Sequence, residues 1–502
     1  MKKFVKLISL VLALLMVAAA FAACDKGGDK DKDKDKESVA TTNPGGNVTG
    51  GDTKVPDLVV MDWEGQEYRI LGKESTTYPW ARHFEVWCGT DGEMPEDVMG
   101  KAVWERNQEM LQDYGIDVVG YLDEKCNDLA KTALESGEDL YDLMLLSPEA
   151  FNPFAIEGKL IDIRALNYIN LDHDGWMDYP NENLTMGGKL FYTTNKFLVQ
   201  DKNRYWGVFY NRDMADELNL GYFEEFVFDG TWTIDKVTEI AKEATYEKDG
   251  QPGLGKGDNW GAGCSEYYNI TQLAYGVGFR ISEIGQDGYP YLVGATDDIM
   301  ARLDKVFALV TNPDAYWCDQ RHGTIDWKDC ADQMFHRGNI LVEPVVLSEL
   351  QTVGSKISFE FGVLPNPKYD EKQEKYHTIP NLGNGSLLGV PITVYDDMFA
   401  GYALELITEK SVDSTYRAYI EVTCKLQKVQ DDDAAKCLEI IYDGVVYDLA
   451  FVSNLGGIGK IFWNQVVGAS TNNWKRMFDR NEGVVEAAIE AIREAYRNLD
   501  AE

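Results

Sequence analysis

The chain has 502 residues, 44% of them hydrophobic, enough for about two to three domains with sizeable cores. Its formal charge of −36 is spread along the chain and makes nucleic acid and anionic membrane surfaces poor partners. The 8 cysteines show no CxxC spacing and no Cys/His cluster, and none of the 5 histidines stands in ligand spacing, which argues against a metal centre.

Lys2, Lys3 and Lys6 precede an apolar stretch from Leu7 to Ala20, too short for a lasting membrane span and flanked as a secretory signal is. It ends in Phe21-Ala22-Ala23-Cys24, which resembles a bacterial lipobox, with Phe21 where Leu is usual. Residues 1–23 then read as a lipoprotein signal peptide, and Cys24 as the lipidated residue. Residues 24–54 alternate Asp and Lys among Gly, Thr and Asn. Few of them are apolar, so the segment cannot pack a core and reads as a disordered tether. Such an anchor would hold the protein at the outer face of the cytoplasmic membrane. The other seven cysteines are Cys88, Cys126, Cys264, Cys318, Cys330, Cys424 and Cys437, and their pairing is open.

Along the rest of the chain, Tyr68 to Leu71 reads as a strand after the Glu64-Gly65 turn. Glu96 to Tyr114 reads as a helix stopped by Gly115, and Ile116 to Val119 as a strand. Asp128 to Ser136 follows as a helix stopped by Gly137, and Tyr141 to Leu146 as a third strand. Strands alternating with helices predict a parallel sheet with crossover helices. Asn183 to Tyr192 reads as a turn leading into a strand, and Val208-Phe209-Tyr210 as a buried strand. Asn211 is placed to cap a short helix over Arg212–Leu220, ended by Gly221, and a loop leads to Thr231. Thr233 can cap a helix whose apolar face is Ile234, Val237, Ile240 and Ala241. Trp260 to Gly263 is a loop or short strand. Helices are expected at Tyr267–Val277, Asp297–Val310, Asp326–His336 and Val484–Leu499, within a mostly helical final hundred residues. Asp172-His173-Asp174-Gly175 is similar to the start of a calcium loop, but the remaining oxygen ligands do not follow at the required spacing.

Several of these segments, taken in order, resemble one family. They are Tyr141-Asp142-Leu143, then Gly158-Lys159-Leu160-Ile161-Asp162-Ile163, Gly187-Gly188-Lys189-Leu190-Phe191, Tyr210-Asn211 with Thr231-Trp232, Phe335 to Val342, and Phe361-Gly362-Val363-Leu364-Pro365-Asn366-Pro367. Together they resemble the extracellular solute-binding proteins of ABC importers, family 1, maltose-binding-protein-like. The resemblance implies an α/β, two-lobed periplasmic-binding-protein-like fold with hinge strands near 193–206, 360–370 and 440–455 and a ligand cleft. Its lobes would be 55–197 with 365–445, and 198–364 with 446–502. It also implies a small-molecule ligand, most simply a sugar, an ABC permease as membrane partner, a monomer, no enzyme activity and no cofactor.

A receptor for a neutral sugar needs flat aromatic faces and planar polar groups in a concave site. The chain's 12 Trp and 27 Tyr suit this, although most aromatics of any globule belong to its core. By position in the family pattern, the resemblance points to Glu266, Tyr267 and Tyr268 at a helix start and to Trp463 on a late helix. Glu343 stands on a turn where the family carries a Trp, and Trp206 and Trp87 are weaker candidates. A peptide or other small-solute receptor is one alternative, and a surface-anchored glycoside hydrolase is another, since carboxylate pairs abound among 84 acidic residues. No nucleophile elbow, HExxH, P-loop or dinucleotide fingerprint is present.

Overall fold

A computed structural model describes residues 58–76, 81–86, 93–264, 269–319, 330–381, 385–426, 432–466 and 471–499. The signal stretch, Cys24, the tether, Trp87, Cys88, Glu266, Tyr267 and Tyr268 lie outside the described residues. The first sheet is built from β1 (Gln66–Lys73), α1 (Val98–Tyr114), β2 (Ile116–Asp123), α2 (Cys126–Ser136) and β3 (Leu143–Leu146). β1 is central and pairs in parallel with β2 and with β3, as the alternation predicts. All four residues of β3 are buried, which is why it reads as a continuous apolar run. Asp97 caps α1 by accepting from Gly100 N, and Gly115, at φ 65, closes it with its N–H on Leu111 O. Arg69 grips both carboxylate oxygens of Asp142, at 2.7 and 3.0 Å, and so fixes β1 to the turn before β3.

The chain continues through α3 (Pro148–Ile156) and α4 (Asp178–Leu184). The strand expected to run to Tyr192 is instead an irregular stretch held by isolated bridges, Met186 to Lys189 and Thr193 to Leu388. β4 (Trp206–Asn211) then opens the second region. Asn211 caps α5 (Arg212–Glu217), which stops short of Leu220 at Leu218. The loop expected after it contains a helix, α6 (Phe223–Phe228). Phe223 stacks on Tyr210 at 4.6 Å and 19°, and this tertiary contact orders a segment too short to announce itself. Thr233 caps α7 (Ile234–Glu243), and all four residues of its predicted apolar face are buried. There follow β5 (Trp260–Cys264), α8 (Asn269–Gly276), β6 (Ser282–Ile284), β7 (Pro290–Leu292), α9 (Asp297–Val310), β8 (Tyr316–Cys318), α10 (Ala331–His336), β9 (Ile340–Val346) and β10 (Phe361–Leu364). The second sheet has the order β10-β4-β9-β5-β8. Its β5 runs parallel to β9 and β8, whereas β4 is antiparallel to both β9 and β10.

β11 (Leu387–Gly389) returns to the first sheet, antiparallel to β3. The remaining chain is helical: α11 (Asp397–Ser411), α12 (Arg417–Leu426), α13 (Asp432–Asp443), α14 (Leu449–Val452), α15 (Ile458–Ile461) and α16 (Trp474–Leu499). Three stretches run side by side where the chain passes between the sheets, through the bridges Tyr205 to Pro380 and Thr378 to Val445. Asp201, fully buried, fastens them: it accepts from Ser386 N, Tyr205 OH and Tyr447 OH at 3.0, 3.0 and 3.4 Å.

Candidate functional site

Open α/β sheets present their ligands beyond the carboxyl ends of the strands. β3 ends at Leu146, and Ser147-Pro148-Glu149 turns directly into α3, with Pro148 at the first helical position, where its missing N–H costs nothing. A cavity of about 390 Å³ opens there. Pro148 and Glu149 form one side of it. Phe451, Val452, Asn454, Gly459, Lys460, Trp463 and Asn464 form the other, and Asn381 reaches it from the stretch between the sheets.

The Trp463 side depends on a reversal of the chain between α14 and α15. Asn454, Gly456 and Gly457 all take left-handed backbone, at φ 49, 56 and 81. A Cβ on Gly456 would stand 2.9 Å from Val485 N, so only glycine fits. Asn454 Oδ1 then accepts from Lys460 N at 2.9 Å and locks the returning segment. A π-helical turn over Phe462–Val466 follows, a feature frequent at functional sites. It buries Phe462, stacked on Phe279 at 4.6 Å, and leaves Trp463 half-buried, with its ring 6.5 Å from that of Phe451. The cavity therefore has an aromatic and aliphatic wall and a polar rim. Glu149 and Lys460 face each other across it, Nζ to Oε1 3.5 Å, both well exposed. Three asparagine amides complete the rim. Glu149 is the single carboxylate among the described lining residues.

A larger cavity, about 700 Å³, lies between α4, the β6–β7 hairpin and the stretch around Tyr447. Two of its charged groups, Asp448 and Arg280, are engaged by the framework. Asp448 accepts from Tyr275 OH at 2.9 Å, Ser282 Oγ at 2.7 Å, Ser282 N at 3.1 Å and Ile281 N at 2.5 Å. Arg280 donates to the carbonyls of Tyr275 and Phe279. Burial pulls the His377 imidazole down to about 3, so this ring is neutral.

Of the candidates read from sequence, Trp463 lines the first cavity. Trp206 is 2% exposed in β4, its backbone N–H donating to Thr378 Oγ1, and lines neither cavity. Glu343 is 2% exposed in β9, paired across the sheet with Phe209, and lines neither cavity either. Burial, then the neighbouring Asp332, holds its carboxyl well above the usual range. Glu149, Asn381, Phe451 and Lys460 were not singled out from sequence. The one local signal was a Ser-Pro-Glu directly after an apolar strand. Among the described residues, no group of three or more His, Cys, Asp or Glu could hold a metal ion.

No protein-family model matches the sequence, and no curated protein does. Solved structures match most of the chain. UspC of M. tuberculosis is 12% identical with a TM-score of 0.55, covering 84% of this chain and 100% of that one. A cyclo/maltodextrin-binding protein, solved with maltotetraose, is 14% identical with a TM-score of 0.51, covering 85% and 96%. Apo RafE of Streptococcus pneumoniae is 15% identical with a TM-score of 0.51, covering 88% and 100%. At these identities the likeness establishes the fold: a mixed α/β chain with two sheets, in the periplasmic-binding-protein architecture that the sequence resemblance implied.

Proposed function

We propose that this chain is the substrate-binding component of an ABC importer and that it holds an oligosaccharide in the Trp463 cavity. The observation that carries the reading is the pairing, beyond the carboxyl end of β3, of an indole face with one carboxylate and three amides. Sugar rings offer C–H faces to aromatic surfaces and hydroxyls to planar polar groups, and this wall and rim provide both. The similar fold of a protein solved with maltotetraose points the same way. A ligand touching Glu149 on the first-sheet side and Trp463 on the other favours the arrangement that brings both to it, and a permease reads that arrangement. Lipid on Cys24 keeps the protein beside its permease, at the outer face of the membrane.

Calorimetric titration of the full-length protein with neutral oligosaccharides and with peptides, alongside chromatography of the incubated glycans, tests this. Saturable binding of a glycan recovered intact is expected. Released sugar products would make the chain a hydrolase, and binding of peptides alone would make it a peptide receptor.

A further inference from the structure

The second sheet ends at β8, an edge strand three residues long. Short edge strands are weakly held, because only one side of them is paired. Cys264 is the last residue of β5 and Cys318 the last of β8, and the two are register partners in a parallel pair. Neighbouring strands lie roughly 4.7–4.9 Å apart. The α-carbons of such partners therefore fall inside the roughly 4.4–6.8 Å span that disulfides bridge. Register partners also send their side chains to the same face of the sheet. The two sulfur atoms stand 4.0 Å apart, and both residues are fully buried. A bond needs the sulfurs about 2.05 Å apart, so the gap closes by side-chain rotation together with a small adjustment of the two strand ends.

We propose that Cys264 and Cys318 form a disulfide when the chain folds in an oxidising compartment, stapling the edge strand to the sheet. The oxidant is an external disulfide, carried by an oxidoreductase or a small thiol couple. One cysteine thiolate attacks it to give a mixed disulfide and releases one thiol of the oxidant. The thiolate of the second cysteine then attacks the sulfur of the first and releases the other. The pair loses two protons and two electrons, and the oxidant's disulfide becomes two thiols. The step belongs to folding, while the sulfurs are still accessible. In the finished sheet burial holds the Cys264 thiol well above the usual range, where exchange is slow. The closed bridge is shielded from reductants for the same reason. The proposal leans on the export part of the proposed function, but not on the nature of the ligand.

Full-length protein, refolded with a mixture of oxidised and reduced glutathione, is denatured with an alkylating agent, digested and mapped by mass spectrometry. Expected is a Cys264–Cys318 linked peptide, two hydrogens lighter than the sum of its parts, with neither residue alkylated. Recovery of both as alkylated thiols overturns the proposal, as does linkage of either to Cys330 or to any other cysteine. Thermal unfolding gives an independent reading. Refolding under strong reductant is expected to lower the Tm by several degrees in the wild type but not in the C264A/C318A double variant. Equal shifts in both proteins count against the staple. A bridged protein that binds no sugar would leave the pairing intact and overturn the ligand reading alone.

Discussion

The two cavities differ in how their polar groups are used. Around Asp448 the volume is greater, but the carboxylate's hydrogen bonds are closed on its own framework, and Arg280 is turned onto backbone carbonyls. Around Trp463 the volume is smaller, but Glu149 and Lys460 hold each other only loosely, at 3.5 Å and largely in solvent. A polar group whose bonds are already satisfied inside the protein has little to offer a ligand. One that is half-satisfied by water can exchange it. The distinction between carboxylates that hold the fold and those that meet a ligand can be tested by removing each kind in turn.

The largest effect is expected from D448A. It leaves Tyr275 OH, Ser282 Oγ and the N–H of Ile281 buried without their acceptor. Each such group costs about 1–3 kcal/mol, so the unfolding free energy should fall by at least about 3 kcal/mol in denaturant titrations. A loss below about 1 kcal/mol would mean that this carboxylate is free for other work, and the contrast between the cavities would collapse.

Glu405 extends the framework class to the first region, where it accepts from Asn170 N and Trp176 Nε1, each at 3.0 Å. Burial raises its carboxyl to about 7. Between the ordinary value of 4.5 and that point the folded state keeps a proton that the unfolded state has released. Stability should therefore fall as pH rises through this window and level off above it, by up to roughly 3 kcal/mol in all. E405Q should flatten that slope in thermal scans taken from pH 4.5 to 7. An unchanged slope would assign the proton elsewhere.

How much of this was legible in the sequence follows from how local each signal is. α9 runs from Asp297 to Val310 as predicted, because Thr296 caps it and its apolar spacing is internal to the helix. α7 and the Gly115 stop are legible for the same reason. α6 was not, since its order comes from Tyr210 and Trp232 rather than from its own six residues. The rim of the Trp463 cavity gathers Glu149, Asn381 and Lys460 from three distant parts of the chain, which no spacing rule can bring together. Trp463 was named through the family resemblance, and it lines this cavity. Trp206 and Glu343 lie in strands buried on both faces, and such runs carry no alternation to show where a side chain points.

In the proposed function Trp463 stands on the ligand side of the comparison. W463A removes the indole from a wall that keeps Phe451, while Phe462 stays stacked on Phe279. A stacked aromatic face is worth about 1.5–3 kcal/mol at full burial. Affinity for the sugar should therefore drop at least about tenfold, with the Tm moving little. Unfolding of W463A with undiminished affinity in what remains folded would move Trp463 to the framework class.

The smallest effect, and the most discriminating, is expected from E343Q. Sequence reasoning offered Glu343 as a ligand contact, whereas the fold sets it inside β9 between β4 and β5. Burial and the nearby Asp332 both favour the uncharged acid. Glutamine copies that acid in size and in neutrality, so it should shift stability by no more than about 1 kcal/mol. Affinity should stay within about twofold, since nothing that reaches either cavity has changed. A charged contact to a sugar hydroxyl would behave otherwise: its loss is worth about 1.5–3 kcal/mol, or more than tenfold in affinity. Calorimetric titration of E343Q beside W463A thus separates the two accounts. A tenfold loss in E343Q at unchanged stability would place the ligand against β9 and remove the Trp463 cavity from its role.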